Sequence, residues 1–500
     1  MCKTMSGGIL FIHPGNHRKT YQELAGEFTA IAPPVWSTFL AEHVRRRGIP
    51  VAIHDTNISG WGEDVLESLY SARPELTVVM VYGHNPSAST QTMVPALAII
   101  RDIKTRNPDI PVAIGGLHPN VTAEQTLRQS GADFLIHGEG GPVICGIYDI
   151  LKGKKNLADV PGLDYLKNGV YTANQPVEPS RDLDQDYPAN AWDLLPPLAL
   201  YRAHNSHTFQ YFRDSRKSDF SDVRSPYAVI YTSLGCPFNC SYCCINSLFG
   251  RPMIRYWHLD TVFAWLERLH VCGVKHIRLD DELFILDPVR VEKFCDHVIG
   301  CGYDFNFWAY ARVDTIPEHL LEKMKKAGFN WLCLGIESGN AGVRHGVSKN
   351  IHRDIDSIVR LIQSKGIYIL GNYMFGLPDD TLETMQETLE LSIRLNCEFS
   401  NYYSTMAYPG SALHEQIRRE HPEYLPRDLN GYSQHSFDCQ PLPTKYLTAA
   451  QVLKFRDDAF DTFFKNEKYL DMISRKFGSV CVDHIRKMTS IRLKRNLYSI

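Results

Sequence analysis

Apolar and polar positions alternate in blocks over the first 150 residues. Five short, nearly continuous apolar runs are separated by stretches with helical periodicity, such as Val35–Arg47 and Met93–Thr105. The predicted strands are Gly8–His13, Pro50–Asp55, Thr77–Tyr82, Pro111–Gly115 and Asp133–His137. Strands that are apolar on both faces and alternate with helices predict a parallel sheet covered by helices. Residues 1–150 are therefore predicted to form a doubly wound, Rossmann-like α/β domain.

Ligands of a doubly wound sheet bind beyond the carboxyl ends of its strands. In this chain four loops occupy that position, namely His13–Asn16, Gly83–Ser89, Gly115–Pro119 and His137–Gly141. We expect a ligand of the first domain to lie against these loops.

A second block, residues 226–412, repeats a strand followed by a helix six times. The predicted strands are Ala228–Ser233, His276–Leu279, Asn306–Arg312, Trp331–Gly335, Ile369–Phe375 and Ser400–Ala407. Six parallel units predict a partial (β/α)6 barrel of the TIM type, whose functional groups lie at the carboxyl ends of the strands.

The remaining chain lacks both patterns. Residues 151–225 are rich in proline and aspartate without periodicity, which predicts an extended linker or strap between the two domains. Residues 413–500 are helical in pattern at Ala449–Lys465 and Val480–Lys494, and we expect them to form a helical C-terminal cap.

Composition narrows the function classes. The 500 residues carry a net charge of −3, which gives no electrostatic footprint for nucleic acid. No apolar run approaches the ~20 residues that span a bilayer. We therefore expect a cytoplasmic protein without a membrane or nucleic-acid partner.

Three cysteines carry the most specific signal in the chain. Cys236, Cys240 and Cys243 lie on one loop directly after the first predicted barrel strand. A structural zinc site normally has four closed ligands in two pairs, and no second Cys-x-x-Cys pair occurs here. The adjacent Cys244 is predicted to be a buried thiol rather than a ligand. Three thiolates can hold three irons of a [4Fe–4S] cube and leave the fourth iron open.

This spacing, with Tyr242 before the last cysteine, resembles the signature of the radical S-adenosylmethionine (SAM) enzymes. The resemblance implies that SAM binds the open iron and is cleaved to a 5′-deoxyadenosyl radical. It also implies a flavodoxin- or ferredoxin-type electron donor.

Polar groups at the ends of the barrel strands match the SAM-binding segments of that family. Asp281 follows the second strand, where the family often has a carboxylate near the SAM amino group; the alternative is a surface acidic cluster. Arg312 ends the third strand and is expected at the SAM carboxylate, unless it pairs with Asp314 or Glu337. Glu337 and Gly339 end the fourth strand and are expected at the SAM ribose and amine.

The first domain resembles the cobalamin-binding domain that precedes many radical SAM barrels. Two sequence segments carry the match: Ile114–Pro119, with Gly115, Gly116 and His118, and Ile136–Gly140, with Gly138. These glycines are expected against the corrin, although tight strand-to-helix turns would also explain them. The Asp-x-His-x-x-Gly motif for an axial imidazole is absent. Five histidines of this domain are predicted to be turn or solvent-facing residues rather than cobalt ligands, namely His13, His17, His84, His118 and His137.

Together the resemblances imply a cobalamin-dependent radical SAM enzyme that methylates an unactivated carbon of a small molecule. One SAM would methylate cobalamin and a second would supply the radical that activates the substrate. Three alternatives stay open: a cobalamin-dependent cyclase, oxidase or rearrangement enzyme without methyl transfer, a methylthiotransferase, and a non-enzymatic cobalamin or redox sensor. The substrate and the catalytic residues cannot be assigned from the sequence.

Overall fold

The computed structural model describes residues 7–15, 20–83, 88–212 and 222–498. Its first sheet contains β1 (Ile9–His13), β2 (Val51–Asp55), β3 (Leu76–Val81), β4 (Val112–Gly116), β5 (Phe134–Ile136), β6 (Leu163–Lys167) and β7 (Val170–Ala173). The strands lie in the order β2-β1-β3-β4-β5-β6-β7, and the first five are parallel. The predicted doubly wound domain is therefore confirmed.

The antiparallel hairpin β6–β7 extends this sheet into the segment that was predicted as a linker. Only Leu163–Tyr165 of β6 are buried, and Val170 at the sheet edge is 64% exposed. An edge strand that faces water on both sides has no continuous apolar run, so the pattern gave no signal for it.

Helices cover both faces of the first sheet. They are α1 (Val35–Arg45), α2 (Thr56–Ser59), α3 (Glu63–Ala72), α4 (Ala88–Arg106), α5 (Leu117–Val121), α6 (Ala123–Ser130) and α7 (Gly141–Leu151). The side chains of β1 alternate between two cores: Ile9 and Phe11 pack with α1, whereas Leu10 and Ile12 pack with α4. This period of two is what a sheet buried on both faces requires.

The second sheet is the partial barrel that the sequence predicts. Its six parallel strands are β8 (Tyr227–Ile230), β11 (His276–Leu279), β12 (Asn306–Arg312), β13 (Phe329–Glu337), β14 (Tyr368–Phe375) and β15 (Phe399–Ser404), and they pair in chain order. Between β8 and β11, the short strands β9 (Ser233–Leu234) and β10 (Arg255–Tyr256) pair with each other.

Helices connect the barrel strands and continue into the C-terminal region. The strap contributes α8 (Leu183–Asp186), and the barrel contributes α9 (Asn246–Phe249), α10 (Leu259–Val271), α11 (Pro288–Gly300), α12 (Leu321–Lys326), α13 (Ala341–Gly346), α14 (Ile355–Ser364), α15 (Leu382–Leu395) and α16 (Ala412–Glu420). The cap contains α17 (Ala449–Phe464), α18 (Glu467–Phe477) and α19 (Ser479–Ser490). None of the helices in the described ranges is long and apolar enough to cross a membrane.

One apolar core joins the two domains. Phe39 of α1 stacks on Trp257, with ring centroids 5.2 Å apart, and also contacts Trp265 of α10. The strap is part of this core, since the carbonyl of its buried Tyr187 accepts a hydrogen bond from the Trp257 indole. The sheet domain and the barrel are therefore fixed against each other through buried aromatic contacts, and the space between them has a defined shape.

Candidate functional site

A cavity of about 500 Å³ lies between the carboxyl ends of the two sheets. The first domain lines it with the ends of β1 and β3, with the segment that leads into α1 and with the start of α4. The barrel lines it with residues within its strands and in the loops that follow them. In a sheet with the order 2-1-3-4-5 the strand order reverses between β1 and β3, which is where such sheets bind ligands. The cavity therefore begins at the expected edge of the first domain.

Of the four loops predicted at this edge, the first two reach the cavity. His13 ends β1 and is followed by Pro14 and Gly15, while Gly83 and Ala88 border the β3 loop. Asn16 and residues 84–87 lie outside the described residues. A Cβ on Gly83 would come within 2.2 Å of the Ala88 Cβ, so the start of α4 approaches β3 too closely for a larger residue.

The glycines that were predicted at the corrin lie one strand further along and do not line this cavity. Gly116 has φ +128°, and a Cβ there would meet the carbonyl oxygen of Val81 at 2.3 Å. A Cβ on Gly115 would lie 3.1 Å from Ile136, and one on Gly138 would lie 3.0 Å from Val177. Close packing within the domain thus accounts for these glycines, and their contact with a cofactor stays a prediction.

His118 is buried within the first domain, where it bonds to neighbouring residues, and it does not line the cavity. Its ring Nδ1 is 3.1 Å from Thr90 Oγ1, and its backbone N–H donates to Ser89 Oγ at 2.9 Å. Burial lowers the pKa of His118 to about 4, so the imidazole is neutral near pH 7. These contacts connect the start of α4 to α5.

The cysteine loop leaves the barrel after β8, and Cys243, the last of its three predicted ligands, lines the cavity. Gly235 precedes Cys236 with φ +92°, and a Cβ there would meet the Met253 carbonyl oxygen at 2.4 Å, so this turn requires glycine. Burial raises the pKa of the Cys236 thiol. A bound cation would reverse this effect, because a coordinated thiol loses its proton.

The thiols fit an iron–sulfur cluster by their chemistry and by their common loop. Within the described part of the chain, no three His, Cys, Asp or Glu side chains gather closely enough to hold one metal ion. A cube, in contrast, takes each thiolate on a different iron. The fit therefore rests on three sulfur donors at the mouth of the barrel, and the ligand assignment stays a prediction.

Asp281 anchors the base of the cysteine loop. Its carboxylate accepts hydrogen bonds from Thr232 N at 2.5 Å, Thr232 Oγ1 at 2.6 Å and Ser233 Oγ at 2.9 Å. We predicted Asp281 at the SAM amino group, but three donors turn its carboxylate toward the loop, and this placement does not favour that contact. The neighbouring Asp280 lines the cavity instead, where it is paired with Arg278.

Glu282 supports the same loop by accepting a hydrogen bond from Gly235 N at 3.2 Å. Burial beside Asp281 and Asp280 raises the pKa of Glu282 to about 8. The run Asp280-Asp281-Glu282 is therefore not a surface acidic cluster, since all three side chains are held within the barrel mouth.

Arg312 lies against the cysteine loop. Its Nη1 is 3.8 Å from Cys240 Sγ, and its guanidinium carbon lies 3.9 Å from the centre of the Phe238 ring. Nη2 donates to the Asn350 carbonyl at 2.8 Å and lies 3.3 Å from Asp314, so one of the two predicted ion pairs forms. This places a fixed positive charge beside a predicted cluster ligand.

Glu337 reaches the cavity through an unusual backbone conformation. Its φ is +68°, a region that L-residues other than glycine and asparagine seldom occupy, and the register of β13 against β14 shifts just before it. Such strain is found where a side chain must be aimed at a site. Gly339, in contrast, packs on α15, where a Cβ would meet the Glu387 carbonyl oxygen at 2.8 Å.

Lys349, which sequence reasoning did not identify, completes this side of the site. Its Nζ lies 3.1 Å from Glu337 Oε1, and both side chains are at most 10% exposed. In the same turn, the Val347 carbonyl accepts a hydrogen bond from Ser241 N at 3.0 Å. One turn after α13 thus contacts the cysteine loop, Arg312 and Glu337. It carries no motif, so only the tertiary fold shows its role.

Comparison with known proteins identifies both domains. Residues 22–147 match the B12 binding domain, and residues 230–392 match the radical SAM superfamily. The chain is 27% identical to an uncharacterized methyltransferase of Pyrococcus horikoshii, over 88% of this chain and 89% of the relative. It is 24% identical to the anaerobic magnesium-protoporphyrin IX monomethyl ester cyclase of Rubrivivax gelatinosus, over 82% and 70% of the two chains.

Two solved structures share the fold of the whole chain. The radical SAM methyltransferase TsrM from Kitasatospora setae, with cobalamin and a [4Fe–4S] cluster bound, superposes with a TM-score of 0.64 at 18% identity, covering 83% of this chain and 75% of TsrM. The cobalamin-dependent radical SAM enzyme OxsB, with aqua-cobalamin and SAM bound, gives 0.69 at 14% identity, covering 96% and 71%.

These matches confirm the two predicted kinds of domain and, with them, the classes of cofactor that such domains bind. With a B12 binding domain followed by a radical SAM domain, the chain belongs to the radical SAM enzymes that carry a cobalamin-binding domain.

Proposed function

We propose that this protein methylates an unactivated carbon of a small molecule with a [4Fe–4S] cluster, SAM and cobalamin. The observation that carries the proposal is the single cavity between the β1/β3 edge of the B12 domain and the mouth of the radical SAM barrel. A substrate there would meet both cofactor-binding edges at once. A relative from Pyrococcus horikoshii, matched over 88% of this chain and 89% of its own, carries the name of a methyltransferase.

When bound, the cofactors supply the radical that removes a hydrogen atom and the methyl group that replaces it. The residues of the chain would position them. Cys236, Cys240 and Cys243 would hold three irons and leave the fourth for SAM, and Glu337 would accept hydrogen bonds from SAM in the cavity. Arg312 would hold the thiolate of Cys240 in a positive field.

The cavity would also protect the reaction. Trp36, Tyr82 and Tyr231 border it between the two domains, and each is at most 7% exposed. Trp36 stacks on Tyr82 with ring centroids 4.6 Å apart and meets Tyr231 edge-on at 6.2 Å. An aromatic wall that joins the two domains excludes water, which would otherwise compete for reactive groups. The electron donor is proposed to be a flavodoxin or ferredoxin.

The test uses two products of SAM that report two separate steps. Anaerobically purified, reconstituted protein with cobalamin, reductant and SAM labelled with CD3 is expected to form both S-adenosylhomocysteine, from methyl transfer, and 5′-deoxyadenosine, from radical cleavage. Small-molecule extracts added to the reaction are then searched for a product that is heavier by one CD3 group in place of one hydrogen.

Cysteine variants provide the control. Cys240→Ala is expected to abolish 5′-deoxyadenosine, whereas Cys272→Ala, an exposed thiol at the end of α10, is expected to retain it. Formation of 5′-deoxyadenosine without S-adenosylhomocysteine or a labelled product would contradict methylation. That result would favour cyclisation or oxidation, which the cyclase of Rubrivivax gelatinosus makes the second candidate. If neither S-adenosylhomocysteine nor 5′-deoxyadenosine formed, the result would favour a sensor.

A further inference from the structure

The end of β1 carries a histidine that the sequence predicted to be a turn residue. His13 is the last residue of β1, next to β3, where the strand order of the sheet reverses. It lines the cavity between the two domains. The remaining described histidines of the first domain, His43, His54, His118 and His137, bond to protein groups and do not line the cavity.

Side chains of β1 alternate between the two faces of the sheet, and this alternation places His13 on the face toward the barrel. Ile9 and Phe11 lie on the face of the sheet that belongs to the interdomain core, and His13 continues this period of two. Met80 of β3, Tyr82 just beyond the end of that strand and Trp36 of α1 pack in the same core. The imidazole therefore shares the cavity with the aromatic wall that borders it.

Contacts on the protein side fix the histidine. The His13 ring lies beside the backbone of Met80 on the neighbouring strand β3. The His13 carbonyl accepts from Thr56 Oγ1 at 3.0 Å, and Thr56 Oγ1 accepts from Gly15 N at 2.7 Å. Metal-binding histidines commonly have one nitrogen held by a backbone carbonyl or a carboxylate, which orients the other nitrogen toward the metal.

The chemistry of the side chain also suits a ligand. A neutral imidazole has a lone pair to donate, and imidazole is a common ligand of first-row metals.

We propose that His13 coordinates the cobalt of cobalamin from the side of the first domain. This inference rests on the proposed binding of cobalamin, and it assigns the lower ligand that the absence of an Asp-x-His-x-x-Gly motif left without a candidate. One ring nitrogen would face the metal, and the Met80 backbone beside the ring would help to hold it in place.

The experiment is EPR spectroscopy of the full chain loaded with cob(II)alamin, which has one unpaired electron. A nitrogen ligand splits each cobalt line into three if it is 14N and into two if it is 15N. Protein made with natural histidine should give triplets, and protein made with ring-15N histidine should give doublets. This comparison needs no substitution, so it does not depend on the folding of a variant.

Variants then locate the ligand. His13→Ala should bind cobalamin but lose the splitting, and added imidazole should restore it. His54→Ala, on the neighbouring strand with its ring 2.9 Å from the Gly60 carbonyl, should keep it. Triplets that persist in the 15N protein would show that the dimethylbenzimidazole base is the ligand, and the absence of splitting would show no nitrogen ligand. Either result would overturn the inference and leave the proposed function intact, whereas failure to bind cobalamin would overturn both.

Discussion

Replacing Asp281 with alanine tests whether this carboxylate anchors the cysteine loop. The side chain is 1% exposed and accepts three hydrogen bonds of 2.5 to 2.9 Å from Thr232 and Ser233. Each buried donor left without a partner costs about 1–3 kcal/mol. Because the two hydroxyl groups can rotate toward other acceptors, we expect a total loss of about 3–5 kcal/mol in the free energy of unfolding of the barrel.

The loss should appear in iron binding as well as in stability. Thr232 and Ser233 directly precede the loop that carries Cys236, so the variant should retain less iron after anaerobic reconstitution. Denaturant unfolding followed by tryptophan fluorescence measures the stability, and iron per protein measures the cluster.

Asp287→Ala is a matched control. Asp287 lies six residues further on and accepts hydrogen bonds from Val289 N and Arg290 N at the start of α11. Its loss should cost about 1 kcal/mol, as for other helix caps, without a change in iron content. If Asp281→Ala loaded iron fully and unfolded within about 1 kcal/mol of the wild type, the anchoring role would be wrong.

Three further predictions follow from single contacts. Arg312→Gln removes the positive charge beside Cys240 and should make the cluster potential more negative in an EPR-monitored titration; an unchanged potential would contradict the contact. Lys349→Met leaves the Glu337 carboxylate buried without its partner, so SAM should bind at least about tenfold more weakly in equilibrium dialysis. Because the folded pKa of His118 is about 4, below the usual 6.5, its neutral state stabilises the fold above pH 6.5. That contribution, up to about 3 kcal/mol, should be lost as the pH falls from 6.5 to 4, and His118→Asn should flatten this pH dependence of unfolding.

The sequence predicted the architecture well because hydrophobic period and chain order determine it. Strands such as His276–Leu279 and Asn306–Arg312 have the bounds that the pattern indicated. The cysteine spacing likewise led to the correct family. The edge hairpin β6–β7 was missed because a solvated strand leaves no apolar run.

The site was less predictable, because it depends on where side chains point. Asp281 and Asp280 are neighbours in sequence, yet one carboxylate meets the cysteine loop and the other the cavity. Gly116 and Gly138 match a cofactor motif, but close packing within the domain explains both. Lys349 has no motif and contacts Glu337 only in the folded chain. The sequence pattern shows which residues lie at the end of a strand, but it does not show which side chains they contact in the folded protein.

The central claim is that the B12 domain and the cysteine loop face one shared cavity. EPR of protein that contains both cob(II)alamin and the reduced cluster tests it directly, because two unpaired spins at opposite sides of one cavity broaden each other's signals and speed their relaxation. We predict that the cobalt signal relaxes faster when the cluster is reduced, and that Cys240→Ala abolishes this effect. Cobalt and cluster signals that are each unaffected by the other would contradict the shared site.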